Sequence, residues 1–135
     1  TLEFSNYVAK NFRIGERTIL QGNMYGFIEP MEATAVGMYH KLCKCAWDGI
    51  FANDTFDNCN KIIKTNVKQL ENIILWHYQF GSKFDTPFWK YAKSLPFNPD
   101  QKFYEVIKGN LDEDEEYGQW KTWNFDNWRL GNELV

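Results

Sequence analysis

Two long stretches of helical periodicity, separated by a single short turn, constrain this chain more than anything else in it. From about Thr34 the residues Val36, Tyr39, Cys43, Ala46, Trp47, Ile50 and Phe51 recur at threes and fours, the spacing at which side chains share one face of an α-helix. The segment FANDTFDN then supplies a turn and a cap. Beyond it Phe56, Cys59, Ile62, Ile63, Val67, Leu70, Ile73, Ile74 and His77 mark a second, wider apolar face, with Lys61, Lys64, Lys68 and Glu71 away from much of it. Stripes of that width need a cover. Two such helices joined by a short turn pack as an antiparallel pair, so the first is expected to be buried along its Val36, Tyr39, Cys43 and Trp47 side.

The other segments are shorter. Residues 1–22 hold alternating stretches such as RTILQG, which suit one or two strands ending at a glycine, and GNMYGFIEP reads as a glycine-punctuated loop. GSKFDTP ends the second helix, and DTPFWKYAKSL starts a third, with Asp85 or Thr86 as its cap and Pro87 in its first turn. PFNPDQKFYEVIKGN repeats that grammar, from a proline-set start near Asn98 to a stop at Gly109. The acidic run DEDEEYG reads as a solvated helix start, and the tail carries Trp120, Trp123 and Trp128. The expected fold is mainly α: two long packed amphipathic helices plus shorter ones, with a small extended N-terminal segment, in a single module over residues 1–135.

Composition narrows the function. A net charge of −3, from 15 basic and 18 acidic residues, offers no field for a polyanion and argues against nucleic acid. No apolar run approaches the ~18 residues of a membrane span, and no signal segment is visible. The cysteines Cys43, Cys45 and Cys59 are odd in number and lack a second ligand cluster, so they read as free thiols in a reducing, cytoplasmic setting. With His40 and His77 as the only histidines, no histidine-rich metal site is expected. Six tryptophans, seven tyrosines and eleven phenylalanines exceed what a minimal core needs. Either the interior is built from rings, or some of them line a pocket or an interface.

Two constellations carry possible chemistry. Glu29 and Glu32 flank Pro30 at a loop-to-helix transition. They serve there as first-turn acids favourable to the helix dipole. Alternatively, a carboxylate set among Met24, Tyr25, Phe27 and Met31 is partly desolvated and gains proton affinity, which suits general acid or base work. The backbone N–H groups around Thr34 and Ala35 then offer a place for an anion. A glycosidase pair finds no support, because a three-residue spacing does not set the gap between carboxyls. In LWHYQFGSKFDTPFWKYAK, His77 and Tyr78 end one helix while Phe88 and Trp89 open the next. Rings and an imidazole around one space grip a flat aromatic guest; the plainer alternative makes Phe88 and Trp89 core anchors.

Taken together these stretches carry a family resemblance. GFIEPMEAT resembles the EPLES segment of the flavin-dependent tryptophan halogenases, and HYQFGSKFDTPFW looks like the motif further along that family, in the expected order. The resemblance covers residues 12–95 well and the tail more loosely, and looks like a C-terminal portion only. It implies Glu32 as the catalytic carboxylate, helping a lysine position the chlorinating species or accepting the ring proton. It implies Thr34 and Ala35 near the halide and flavin, and Gly22, Asn23 and Gly26 in the loop approaching the isoalloxazine. It implies Phe88 and Trp89 as an aromatic substrate wall, with His77, Tyr78, Phe84 and the Ala33 carbonyl on the substrate side. The cofactors implied are FAD and chloride or bromide, the partners a small electron-rich aromatic substrate and a reductase supplying reduced flavin. The chemistry implied is oxidation of the halide followed by electrophilic attack on the ring, shielded from water.

Departures from the family pattern refine this. Ala33 stands where the family has serine, and Ala35 where it has glycine. Phe84 replaces an acidic residue that would pair an ammonium group, which argues against free tryptophan and for an indole, a phenol or a carrier-attached ring. No G-x-G-x-x-G fingerprint occurs in the sequence, and the family's lysine has no match. The chain by itself is therefore expected neither to bind FAD tightly nor to halogenate, its FAD-binding N-terminal domain being absent. Two alternatives stand beside this expectation. One is a related flavin monooxygenase; the other is a helical binding or oligomerisation module that forms a homodimer through exposed aromatics, above all Trp120, Trp123 and Trp128.

Overall fold

The computed structural model describes residues 5–29, 31–52, 55–110, 112 and 115–131. Among them are the helices α1 (Thr34–Phe51), α2 (Phe56–Phe80), α3 (Pro87–Ser94), α4 (Gln101–Ile107) and α5 (Thr122–Gly131). Two-residue strands β1 (Tyr7–Val8), β2 (Arg13–Ile14), β3 (Thr18–Ile19) and β4 (Gly26–Phe27) precede or lead into α1. They pair antiparallel, β1 with β4 through Tyr7 opposite Phe27, and β2 with β3 through Arg13 opposite Ile19. The fold is mainly helical, with α1 and α2 as two long packed helices and a short N-terminal strand region, as the periodicity requires. The chain divides into two compact units, Thr1–Val67 and Lys68–Val135, so α2 gives its first half to one and its second half to the other.

In the first unit Phe12, Tyr25, Ile28, Met38, Leu42, Cys59 and Ile63 are each at most 1% exposed. The side of α1 that faces this core is not the expected one. Thr34, Met38, Leu42 and Cys45 are buried, whereas Val36, Trp47, Ile50 and Phe51 are more than half exposed. Both sets satisfy the three-and-four spacing, so periodicity alone does not choose between them. Local anchors do. The Thr34 hydroxyl donates to the Glu29 carbonyl at 2.9 Å, and the Cys59 thiol on α2 donates to the Cys45 carbonyl on α1 at 3.3 Å. The three cysteines are free, with Cys43 exposed and Cys45 and Cys59 buried. At the turn, Thr55 Oγ1 caps α2 by accepting from the Asn58 N–H at 3.1 Å. Gly49 lets Phe56 approach, since a Cβ there would lie 2.9 Å from its ring.

In the second unit the core is a cluster of rings around α2. Ile73 and Trp76 pack with Phe103, Val106, Tyr117, Trp120 and Phe125. Trp76 meets Phe103 edge-on at 5.8 Å, and Trp120 meets Phe125 at 5.0 Å, geometries that suit the ring quadrupoles. Much of the aromatic excess is therefore interior. This corrects the picture of a tail presenting three tryptophans as a self-association surface. Trp120 is 4% exposed and Trp128 stacks against Trp76 at 3.8 Å, which leaves Trp123 facing outward.

In the acidic run, Asp112, Glu115 and Glu116 are not helical, and Glu113 and Asp114 lie outside the described residues. The run leads into a tight turn in which Tyr117 and Trp120 exchange backbone hydrogen bonds at 2.9 and 3.0 Å. Gly118 adopts φ +66° there, against Leu70 and Ile73, and α5 begins only at Thr122. Burying Tyr117 and Trp120 outweighs the helical preference of the glutamates. Asp100 caps α4, its Oδ1 accepting from the Phe103 N–H at 2.8 Å. The same oxygen accepts from the Tyr117 hydroxyl at 3.2 Å, and that hydroxyl accepts from Asn72 Nδ2 at 2.7 Å. At the other end of α4, Arg129 Nη1 donates to the Ile107 carbonyl at 2.6 Å.

Two buried phenols, one in each unit, sit in opposite situations. Tyr117 is hydrogen-bonded on both sides, whereas the Tyr25 hydroxyl is shielded from solvent without a partner among the described residues. Burial pushes both phenols above their ordinary value of 10.0. Tyr117→Phe strands the amide of Asn72 and is expected to lower unfolding stability by about 1–3 kcal/mol in urea titration. Tyr25→Phe removes an unmatched group and is expected to be neutral or stabilising. In the unfolded chain these phenols ionise near pH 10, but in the folded chain they resist. Stability is therefore expected to hold below that pH and fall above it, with a shallower fall in Tyr117→Phe.

Candidate functional site

The glutamate turn belongs to the first unit and the ring cluster to the second. In the first, a 3-10 turn at Gly22–Met24 leads through β4 to a second at Met31–Ala33, which runs into α1. Ala33 is the N-cap of α1 but lends no side-chain bond, and it stands at φ 57°, ψ 29°. It is the one non-glycine residue with positive φ among the described residues, a conformation that costs an L-residue roughly 1–2 kcal/mol. Thr34 follows, buried, with its hydroxyl committed to Glu29. Thr34 and Ala35 open α1 directly after the 3-10 turn, and Ala35 is half-buried. Pro30 and the side chain of Glu32 lie outside the described residues.

The three candidate flavin residues have different surroundings. Gly22, at φ +54°, has open space where a Cβ would stand. Asn23 is clamped: its carbonyl accepts from the Tyr7 hydroxyl and its Oδ1 from the Tyr39 hydroxyl. Gly26 is buried in β4, and a Cβ there would lie 2.9 Å from the Tyr7 carbonyl oxygen. Gly26 is thus accounted for by the strand pair, and Asn23 by the two tyrosines.

In the second unit three of the expected substrate residues come together. Tyr78 on α2 lies 5.8 Å from Phe88 and 6.0 Å from Trp89, and Phe88 lies 5.1 Å from Trp89, edge-on. Pro87 opens α3 after Thr86, as the sequence indicates, although Thr86 makes no side-chain cap bond. Phe88 is 55% exposed and Tyr91, one turn further, 63%. The result is a cluster of three rings, with Phe88 and the neighbouring Tyr91 exposed. Phe84 is exposed on the preceding loop, where its N–H donates to Ser82 Oγ at 3.1 Å.

His77 does not join that cluster. One residue of helix turns it about 100° from Tyr78, toward Trp120 at 4.9 Å and Trp128 at 5.2 Å. Its Nδ1 donates to the Ile73 carbonyl at 2.8 Å. Two residues that sequence reasoning missed complete the geometry. Tyr91 is exposed one turn along α3 from Phe88, and its three-residue offset was the available signal. Gln79 Nε2 donates to the Leu95 carbonyl at 2.7 Å and to the Ala92 carbonyl at 3.4 Å, tying the end of α3 to α2. No pattern in the sequence marks Gln79. Among the described residues no group of three or more His, Cys, Asp or Glu side chains is placed to hold a metal ion, and no helix is long and apolar enough to cross a membrane.

The sequence profile of the tryptophan halogenase family matches residues 11–131. The chain belongs to the tryptophan halogenase family. Membership implies use of FAD and a halide in the full enzyme. No curated protein matches the chain. The extent of the family match corrects one expectation. The sequence reading confines the halogenase resemblance to a C-terminal portion, strong to about residue 95, whereas the match takes in the whole chain through its tail. The structure supplies the reason: Tyr117, Trp120 and Phe125 from the tail share one core with Trp76 of α2, so the tail belongs to the same fold as the ring motif.

The strain at Ala33 is testable in this halogenase-family chain. Glycine adopts positive φ freely, so Ala33→Gly is expected to raise unfolding stability by roughly 1 kcal/mol. An Ala33→Val substitution, β-branched at the same angle, is expected to lower it, both read by thermal denaturation.

Proposed function

We propose that this chain takes part in flavin-dependent halogenation of an electron-rich, indole-like aromatic ring. The observation that carries this reading is the ring wall of Tyr78, Phe88 and Trp89, backed by Gln79 and bordered by exposed Tyr91. A stacked ring is held by apolar contact and quadrupole alignment, and orientation of that kind selects which ring carbon meets an electrophile. On the family resemblance, Glu32 is the carboxylate we assign to catalysis, with the Ala33 carbonyl assigned to substrate binding. Thr34 and Ala35 are assigned to the halide, through backbone N–H groups at the start of α1. Phe84 favours a substrate without a free ammonium group, since it brings no carboxylate to pair one.

We further assign Gly22, Asn23 and Gly26 to the loop that approaches the flavin in the full enzyme; the sequence holds no G-x-G-x-x-G fingerprint for the phosphates. When bound, the flavin supplies the oxidising power that turns chloride or bromide into an electrophile. The chain's own residues hold and orient the ring and exclude water from one side of it. A reductase would supply the reduced flavin. The isolated chain is not expected to halogenate.

Titration of the chain with indole, followed by NMR, is expected to shift the Tyr78, Phe88, Trp89 and Tyr91 side-chain signals in a saturable way. Trp89→Ala is expected to weaken indole about ten-fold or more. Indole shifts spread evenly over the surface, or unchanged binding in Trp89→Ala, would remove the basis for the assignment. Incubation of the chain with FAD, a flavin reductase, chloride and indole is expected to give no halogenated product; product would show that the flavin needs nothing outside this chain.

A further inference from the structure

A second cleft lies in the first unit, where the Asn11–Gly15 corner meets the start of α2. Its volume is about 160 Å³, with Phe12 and Phe56 among its lining residues and Asn11, Arg13, Asp57 and Asn60 around it. Cavities of roughly 150 Å³ admit a benzene-sized guest, so the cleft has room for about six heavy atoms and not for an indole with an amino-acid arm. The two phenylalanine rings lie 5.8 Å apart.

The polar groups divide by sign. The Arg13 guanidinium sits 4.4 Å over the Phe56 ring, with Nη2 donating to the Glu16 carbonyl at 3.0 Å. That stacking and hydrogen bond fix its plane, and no carboxylate pairs with it among the described residues. On the α2 side, Asn60 Nδ2 donates to Asn11 Oδ1 at 2.8 Å, while Asn60 Oδ1 is shielded from solvent and has no hydrogen-bond partner among the described residues. A shielded oxygen in that state is costly, and an N–H donor placed in the cleft relieves the cost. Asp57, three residues before Asn60 and so on the same side of α2, adds negative charge there and holds no ion pair among the described residues.

We propose that this cleft binds a small zwitterionic α-amino acid. Its ammonium group meets Asn60 Oδ1 and Asp57, its carboxylate meets Arg13, and its side chain rests on Phe12 and Phe56. Other guests fit the charge pattern less well. A halide would face an amide oxygen and a carboxylate; a bare cation would face a guanidinium; a hydrocarbon would leave Asn60 unmatched. This site stands apart in composition from the ring wall and does not depend on the halogenase reading.

The deciding experiment is an NMR titration of the chain with L-alanine, propionate and ethylamine in parallel. Alanine is expected to give saturable shifts confined to amides 11–15 and 56–60. Propionate lacks the ammonium group and ethylamine the carboxylate, and each is expected to bind roughly ten- to a hundred-fold more weakly. Arg13→Met, which keeps an apolar stem over Phe56, and Asn60→Leu are each expected to weaken alanine by a similar factor. Absence of saturable shifts with alanine overturns the proposal. So does equal binding of propionate, which would mark an anion subsite only, or undiminished alanine binding in Arg13→Met. The comparison of the three probes on the unsubstituted chain decides the matter even where a variant fails to fold.

Discussion

Burial of one side of α2 is the interaction on which the rest of this structure depends. Isolated helices gain little stability from propensity alone; packing of an apolar stripe supplies it. Along α2 that stripe runs through Cys59, Ile63 and Val67 in the first unit and Leu70, Ile73 and Trp76 in the second. Each unit therefore has its core fixed to the same continuous element. The stripe also sets the candidate site. Because Trp76 must face the second core, the helical rotation turns His77 toward Trp120 and Trp128 and leaves Tyr78 for α3.

The aromatic excess is resolved by the same geometry. Trp76 is in ring contact with Phe103, Trp120, Phe125 and Trp128, so rings build the interior of the second unit. One residue pair further along α2, Tyr78 groups with Phe88 and Trp89 of α3, and Phe88 of that group is exposed. A group of this kind needs a rigid back if it is to orient a guest. Gln79 provides part of it by holding the end of α3 through two carbonyls, and Ala92, 3% exposed, closes the inner side of α3.

Much of the helical frame was legible in the sequence. The α2 stripe is wide and its lysines lie mostly opposite, so only one face qualifies as core. On α1 two faces qualified, and the choice between Met38–Leu42 and Tyr39–Cys43 rests on Thr34 bonding Glu29, a contact five residues apart that no periodicity encodes. Composition misled at DEDEEYG: charge made the run look like a solvated helix start, but the decisive residues were Tyr117, Gly118 and Trp120 just after it. In the candidate site, the Tyr78–Phe88–Trp89 group was readable because a short loop separates the two helix ends. At Gly26 a strand neighbour also requires glycine, a demand that a sequence does not separate from that of a ligand.

The glutamate turn is held at several points, and those restraints bear on what it can do. Asn23 is gripped by Tyr7 from β1 and by Tyr39 from α1, and Glu29 is held by Thr34. Between Glu29 and Thr34 the chain passes through Ala33 in a left-handed conformation that an alanine adopts only under external restraint. Such a bend would serve no purpose in a simple helix start, where a serine, threonine or aspartate cap in an extended conformation is cheaper and satisfies an N–H as well. What the bend does is turn the direction of the backbone sharply immediately after residue 32.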